Sequence, residues 1–145
     1  DILMPLASEI GSGEAIAALA FMPLFLAKKE KRKAALLLWA GLTVTYHVSY
    51  VLKGAVARPR PCMALAGVNV FAAEKSFSFP STHAMQSFMA ATVASRYFRG
   101  GAAYFCLAAL VAYSRVYIGV HYVSDVLAGA LLGILIGYAL TRLAK

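Results

Sequence analysis

Five stretches of the chain are apolar over most of their length, and polar residues collect between them. They run over about Ile10–Ala27, Ala34–Leu52, His83–Phe98, Ala102–Ile118 and Tyr122–Leu143. A helix crosses a bilayer with about 20 mostly apolar residues, in a range of about 17–25, so each stretch is read as a spanning helix. The first and third are short and carry polar residues. Residues 1–9, with Pro5, Ser8 and Glu9, read as an interfacial turn or short helix. There is no internal repeat and no low-complexity tract, and residues 1–145 form one domain.

Composition supports this pattern. The chain is 61% hydrophobic and 14% charged, against about 45–50% and about 25% in a soluble domain. The mean hydropathy is +0.73. A net charge of +8 invites a nucleic-acid reading, but the basic residues do not line a groove. They sit between apolar runs, at Lys28–Lys33, Arg96 and Arg99, and Arg142 and Lys145. The positive-inside rule places these connections in the cytoplasm. Lys53–Thr82 and the turn at Gly119 then face outside. Five crossings that end inside need an outer N-terminus, which implies a six-helix parent. Cys62 and Cys106 fall at different depths, which argues against a disulfide, and neither has metal-site spacing.

Residues that a bilayer rejects all fall at the outer helix ends: Lys53, Arg58 and Arg60; Ser81, Thr82 and His83; Ser114 and Arg115; His121 and Asp125. Ionisable groups near a membrane interior suggest function. Three of these cations, Lys53, Arg60 and Arg115, with two histidines and one carboxylate, suit a phosphate oxyanion, which arginine holds with paired hydrogen bonds and lysine with a point charge. Pro80-Ser81-Thr82-His83 opens a helix, where free backbone N–H groups attract anions and a serine caps the end. His121 and Asp125, four residues apart, share a helix face. A carboxylate on one imidazole nitrogen fixes the tautomer and leaves the other free as a nucleophile. His83 could protonate the leaving oxygen.

Lys53-x6-Arg60-Pro61, Pro80-Ser81-Thr82-His83 and Ser114-Arg115-x5-His121-x3-Asp125 together resemble the three-part signature of the type 2 phosphatidic acid phosphatase family. That family also includes vanadium haloperoxidases and acid phosphatases. The resemblance implies a phosphohistidine on His121, oriented by Asp125. It makes His83 the general acid and then the base that activates water. Lys53, Arg60, Ser81 and Arg115, with the Thr82 backbone, would hold the phosphate. It implies no metal and no cofactor. The family motif usually has glycine where this chain has Thr82, which adds a side chain beside the phosphate.

Plainer roles compete. Ser81 and Thr82 could only cap a helix, and Arg115 could pair with Asp125 structurally. Arg58, off the motif, reads as a snorkelling anchor. His47, with Thr43 and Tyr50, reads as a buried hydrogen bond between helices. Glu14 reads as interfacial, and Tyr113, Tyr117 and Tyr122 as an outer aromatic belt. Gly129, Gly133 and Gly137 permit close packing within the bundle, on a stripe expected to drift from the His121–Asp125 face by about 40° per four residues.

The sequence therefore predicts an all-α membrane bundle of five visible helices. Its activity is expected to be metal-independent hydrolysis of a lipid phosphate or pyrophosphate at the outer face of a bacterial inner membrane. The family resemblance makes undecaprenyl pyrophosphate, phosphatidylglycerophosphate, phosphatidic acid and lipid A phosphate the candidate substrates, with the polyprenyl pyrophosphate slightly ahead, and the expected partners are that lipid and the bilayer. Two other classes stand against it: a phospholipid-binding or transport protein using the same site, and a vanadate-dependent haloperoxidase.

Overall fold

The computed structural model describes residues 3–26, 28–64 and 76–144. Residue 27, at the end of the first predicted span, and 65–75, within the predicted outer connection, lie outside the described residues. Seven helices and no strand occur among the described residues: α1 Leu3–Ile10, α2 Gly13–Leu26, α3 Lys29–Val56, α4 Pro61–Ala64, α5 Thr82–Tyr97, α6 Gly101–Tyr117 and α7 Val123–Leu143.

α5, α6 and α7 match the predicted third, fourth and fifth spans closely. The first two differ. The first apolar stretch is divided at Gly11-Ser12, where the Ser12 hydroxyl accepts from the Ala15 N–H (3.1 Å) and starts α2 afresh. The basic run expected as a connection instead forms the first turn of α3. Lysine, arginine and glutamate are strong helix formers, so the helix continues through the charged residues. The stretch Lys29–Ala64, which contains α3 and α4, and α7 Val123–Leu143 are long and apolar enough to cross a membrane. α2, α5 and α6 have 14, 16 and 17 residues, so length alone supports two of the five expected spans.

α5 is the central helix, packed by α2, α3, α6 and α7. Ala84, Met85, Met89 and Val93 on it are wholly buried. Helices can gather closely around it because its turns carry alanine, serine and threonine. α7 runs parallel to α5, with Gly129 against the Ser81 carbonyl, Gly133 against that of Met85 and Gly137 against Met89 and Thr92. A Cβ at Gly129 would stand 2.5 Å from the Ser81 oxygen. The seam lies inside one bundle, as expected. It does not drift from the Asp125 face, because Ser81, Met85 and Met89 on α5 also step by four residues and turn with it.

The end of α3, the start of α5, the end of α6 and the start of α7 lie together. At the opposite end, the Lys31 ammonium stands 5.9 Å from the Phe98 ring, joining the start of α3 to the end of α5. Cys62 and Cys106 are both free. His47 departs from its expected role: it is exposed and bonds through Nδ1 to the Thr43 carbonyl of its own helix (2.8 Å). Tyr50 also faces outward. Tyr113 and Tyr117 form an exposed pair 6.1 Å apart, whereas Tyr122 stacks beneath Arg58.

Candidate active site

Local sequence explains how His121 reaches the site. α6 ends at Tyr117, and Ile118 and Val120 are buried, anchoring the turn. Gly119 between them has φ +76°, a conformation costly for residues with a Cβ. The His121 N–H then donates to the Arg115 carbonyl (3.2 Å). Two residues later α7 begins, and Asp125 Oδ2 accepts from the Tyr122 N–H (3.0 Å). One carboxylate oxygen thus caps α7 and also faces the imidazole.

His121 Nδ1 lies 3.5 Å from Asp125 Oδ2. This is longer than a fully formed hydrogen bond, yet the carboxylate is the anion that Nδ1–H faces. On the other edge, Arg60 Nη1 stands 3.2 Å from Nε2. A guanidinium only donates, so Nε2 is the acceptor and Nδ1 carries the proton. That tautomer puts the lone pair on Nε2. Burial lowers the His121 pKa below its ordinary value; Arg60, Arg115 and Lys53 lower it further, against an opposing pull from Asp125. Neutral imidazole is the favoured form.

The cations are held in place by backbone carbonyls and serine hydroxyls. Arg60 is 1% exposed. It donates through Nε to the Ser76 carbonyl (2.7 Å), through Nη2 to the Ser76 hydroxyl (2.9 Å) and through Nη1 to the Val120 carbonyl (2.9 Å). Lys53 donates to the Phe77 carbonyl. Arg115 is buried and donates to the hydroxyl of Ser8 on α1. Ser78, itself buried, ties this loop to the Arg58 carbonyl (2.9 Å).

Ser81 caps α5, with its hydroxyl accepting from the Ala84 N–H (3.4 Å). Its own N–H donates to the Asp125 carbonyl (3.0 Å), pinning the start of α5 to the start of α7. His83 sits in this first turn, half-buried. The Thr82 hydroxyl lies 2.5 Å from that of Ser49 on α3. The side chain that replaces glycine therefore bridges two helices.

All eight predicted site residues lie at this end of the bundle. Arg58 joins them, contrary to its reading as a lone anchor. Its Nη1 donates to Asp125 Oδ1 and to the Ser124 hydroxyl, both at 2.7 Å, and its guanidinium lies 3.9 Å from the centre of the Tyr122 ring. The spacing Arg58-Pro59-Arg60 was a sequence signal for it: two guanidinium groups flank a rigid residue beside the motif. Ser8 and Ser76 carried no such signal.

Two solved structures share this architecture. One is a transmembrane PAP2-type phosphatidylglycerolphosphate phosphatase from Bacillus subtilis, at TM-score 0.79 and 26% identity, covering 97% of this chain and 74% of that one. The other is LpxE from Aquifex aeolicus, at TM-score 0.80 and 27% identity, covering 97% and 84%. By sequence, the decaprenylphosphoryl-5-phosphoribose phosphatase of Mycobacterium tuberculosis is 35% identical over 112 residues, 77% of this chain. The Mycolicibacterium smegmatis protein of the same name is 36% identical over 104 residues, covering 72% of this chain and 57% of that protein. The chain spans 62% of the length of the M. tuberculosis relative. The model of the PAP2 superfamily matches residues 34–145, a range that holds all three motifs, and the chain belongs to that superfamily.

Proposed function

We propose that the protein hydrolyses a lipid-linked phosphate through a phosphohistidine on His121, with no metal. The observation that carries this reading is the His121 ring, with Nδ1 toward Asp125 and the Nε2 lone pair toward Arg60. In the first step the Nε2 lone pair attacks phosphorus, the bond from phosphorus to the leaving oxygen breaks, and His83 gives that oxygen a proton. In the second, His83 takes a proton from water as the water oxygen attacks phosphorus. The N–P bond then breaks and its electrons return to Nε2. Lys53, Arg60 and Arg115, with Ser81 and the Thr82 N–H, balance the charge on the phosphoryl oxygens. Arg60 moves from Nε2 onto one of those oxygens when substrate enters.

The names of the relatives guide the choice of substrate. The curated relatives are named as acting on decaprenylphosphoryl-5-phosphoribose, and one structural relative on phosphatidylglycerolphosphate. A phosphate monoester on a polyprenyl-linked sugar is therefore the first candidate here, ahead of undecaprenyl pyrophosphate, phosphatidic acid and lipid A phosphate. The basic residues Lys29–Lys33, Arg96 and Arg142 lie at the end opposite the site, which supports an outward-facing site in the inner membrane. The test is phosphate release by purified protein in detergent with EDTA, on a panel of these lipids, beside His121→Ala. Release that survives chelation and disappears in the variant is expected. Equal release from the variant would overturn the mechanism, and binding without release would favour the transport reading.

A further inference from the structure

A second feature lies away from the site, between α2 and α6. α1 packs on α6 while α2 leans on α3 and α5, and a cleft of about 310 Å³ opens between them. Its walls are apolar, and its rim carries Leu19 and Leu107, 73% and 43% exposed. Toward the active site it is closed. Gly11 lies against Val111 and Ser87 with no room for a Cβ, and the Ser87 hydroxyl reaches the Gly11 carbonyl at 3.5 Å. At the far end the lining includes Lys31, beside Phe98. From Ser87 to Phe98 the α5 wall runs about 16 Å at 1.5 Å per residue. This is close to half of a hydrocarbon core about 30 Å thick.

We propose that this cleft binds one acyl chain of an anionic glycerophospholipid from the leaflet opposite the active site, with the phosphate headgroup on Lys31. The closed end excludes a chain threaded down from the catalytic phosphate. The length suits one leaflet. Among the described residues, Lys31 is the one charged group in the lining, and it stands at the basic end, where Lys28, Lys29 and Arg32 are also exposed and outnumber the exposed Glu30. Charge complementarity therefore selects an anionic headgroup over a zwitterionic one.

The test does not depend on catalysis. The full chain is reconstituted in vesicles of equimolar phosphatidylglycerol and phosphatidylcholine and extracted in mild detergent, and retained lipid is counted by mass spectrometry. Phosphatidylglycerol should be enriched. Lys31→Gln should lower that enrichment about fivefold, the equivalent of ~1 kcal/mol for one cation at an anionic headgroup. Ala94→Phe, which fills the cleft, should abolish retention, with Ala94→Leu as the milder variant if folding suffers. Lys29→Gln, in the same basic run but outside the lining, should retain lipid as the parent does. Equal retention of the two lipids, or equal losses from Lys29→Gln and Lys31→Gln, would reduce the effect to general surface charge and overturn the proposal. Full retention in Ala94→Phe or Ala94→Leu would do the same.

Discussion

Arg58 Nη1 stands 2.7 Å from Asp125 Oδ1, while the other oxygen of that carboxylate faces His121. One anion thus joins a cation on the loop after α3 to the proposed nucleophile. Arg58→Ala should leave Asp125 with an uncompensated buried charge. Its effect on kcat should be a loss of about tenfold or more, as expected when a positioned group is displaced. With less positive charge nearby, the protonated imidazole gains, so the acid limb of the pH profile should move to higher pH. Arg58→Lys should restore that limb more fully than kcat, because lysine supplies charge without the fork. An unchanged pH profile in Arg58→Ala would make the residue structural only.

Depression of the His121 pKa sets a direction for the wild-type profile. As the proposed nucleophile, His121 must be neutral, so kcat/KM should fall on the acid side with a midpoint below the ordinary histidine value of about 6.5. The same shift affects stability. The folded value lies below the unfolded one, so the contribution is full above pH ~6.5 and is lost as pH falls toward the folded value. Phosphate release and thermal melting across pH 4–8, taken as about that range around the ordinary value, measure both. An acid limb above 6.5 would contradict the electrostatic picture.

Thr82, in place of the family's glycine, is held by Ser49 at 2.5 Å. Its side chain points to α3, so Thr82→Gly should keep most of the activity. The variant should lose about 1–2 kcal/mol of stability, from one lost hydrogen bond and a more flexible helix start. Ser49→Ala should behave similarly, and the double variant should be less than additive. A large drop in kcat with unchanged melting would instead place the threonine side chain at the phosphate.

Much of the candidate site was readable because its residues are of types that a membrane excludes. Lys53, Arg60, Arg115, His121 and Asp125 stand out against apolar neighbours, and charge bias alone gathers them at one end. What was missed depends on direction around a helix. His47 and Tyr50 look buried by spacing, yet α3 turns that face outward. Arg58 looked like an anchor because its partner Asp125 lies 67 residues away. Helix boundaries suffered for a simpler reason: Lys29–Lys33 are polar enough to read as a loop and are also good helix formers.

The glycine seam couples stability to the site, and its members should differ in effect. Gly129 meets the Ser81 carbonyl, and Ser81 donates its N–H to Asp125 one turn above. Gly133 meets Met85 a turn deeper, away from any proposed catalytic group. An added methyl must push α7 from α5 at either position, since the obstacle is backbone. Overpacking of this kind costs about 1–3 kcal/mol, so Gly129→Ala and Gly133→Ala should both melt earlier. Only Gly129→Ala shifts Asp125 against Ser81, and with it the orientation of His121. Its kcat should therefore fall further than that of Gly133→Ala at equal loss of stability, with both variants assayed well below their melting temperatures. Equal kcat losses in the two variants would mean that the seam holds the bundle together but does not set the geometry of the His121–Asp125 pair.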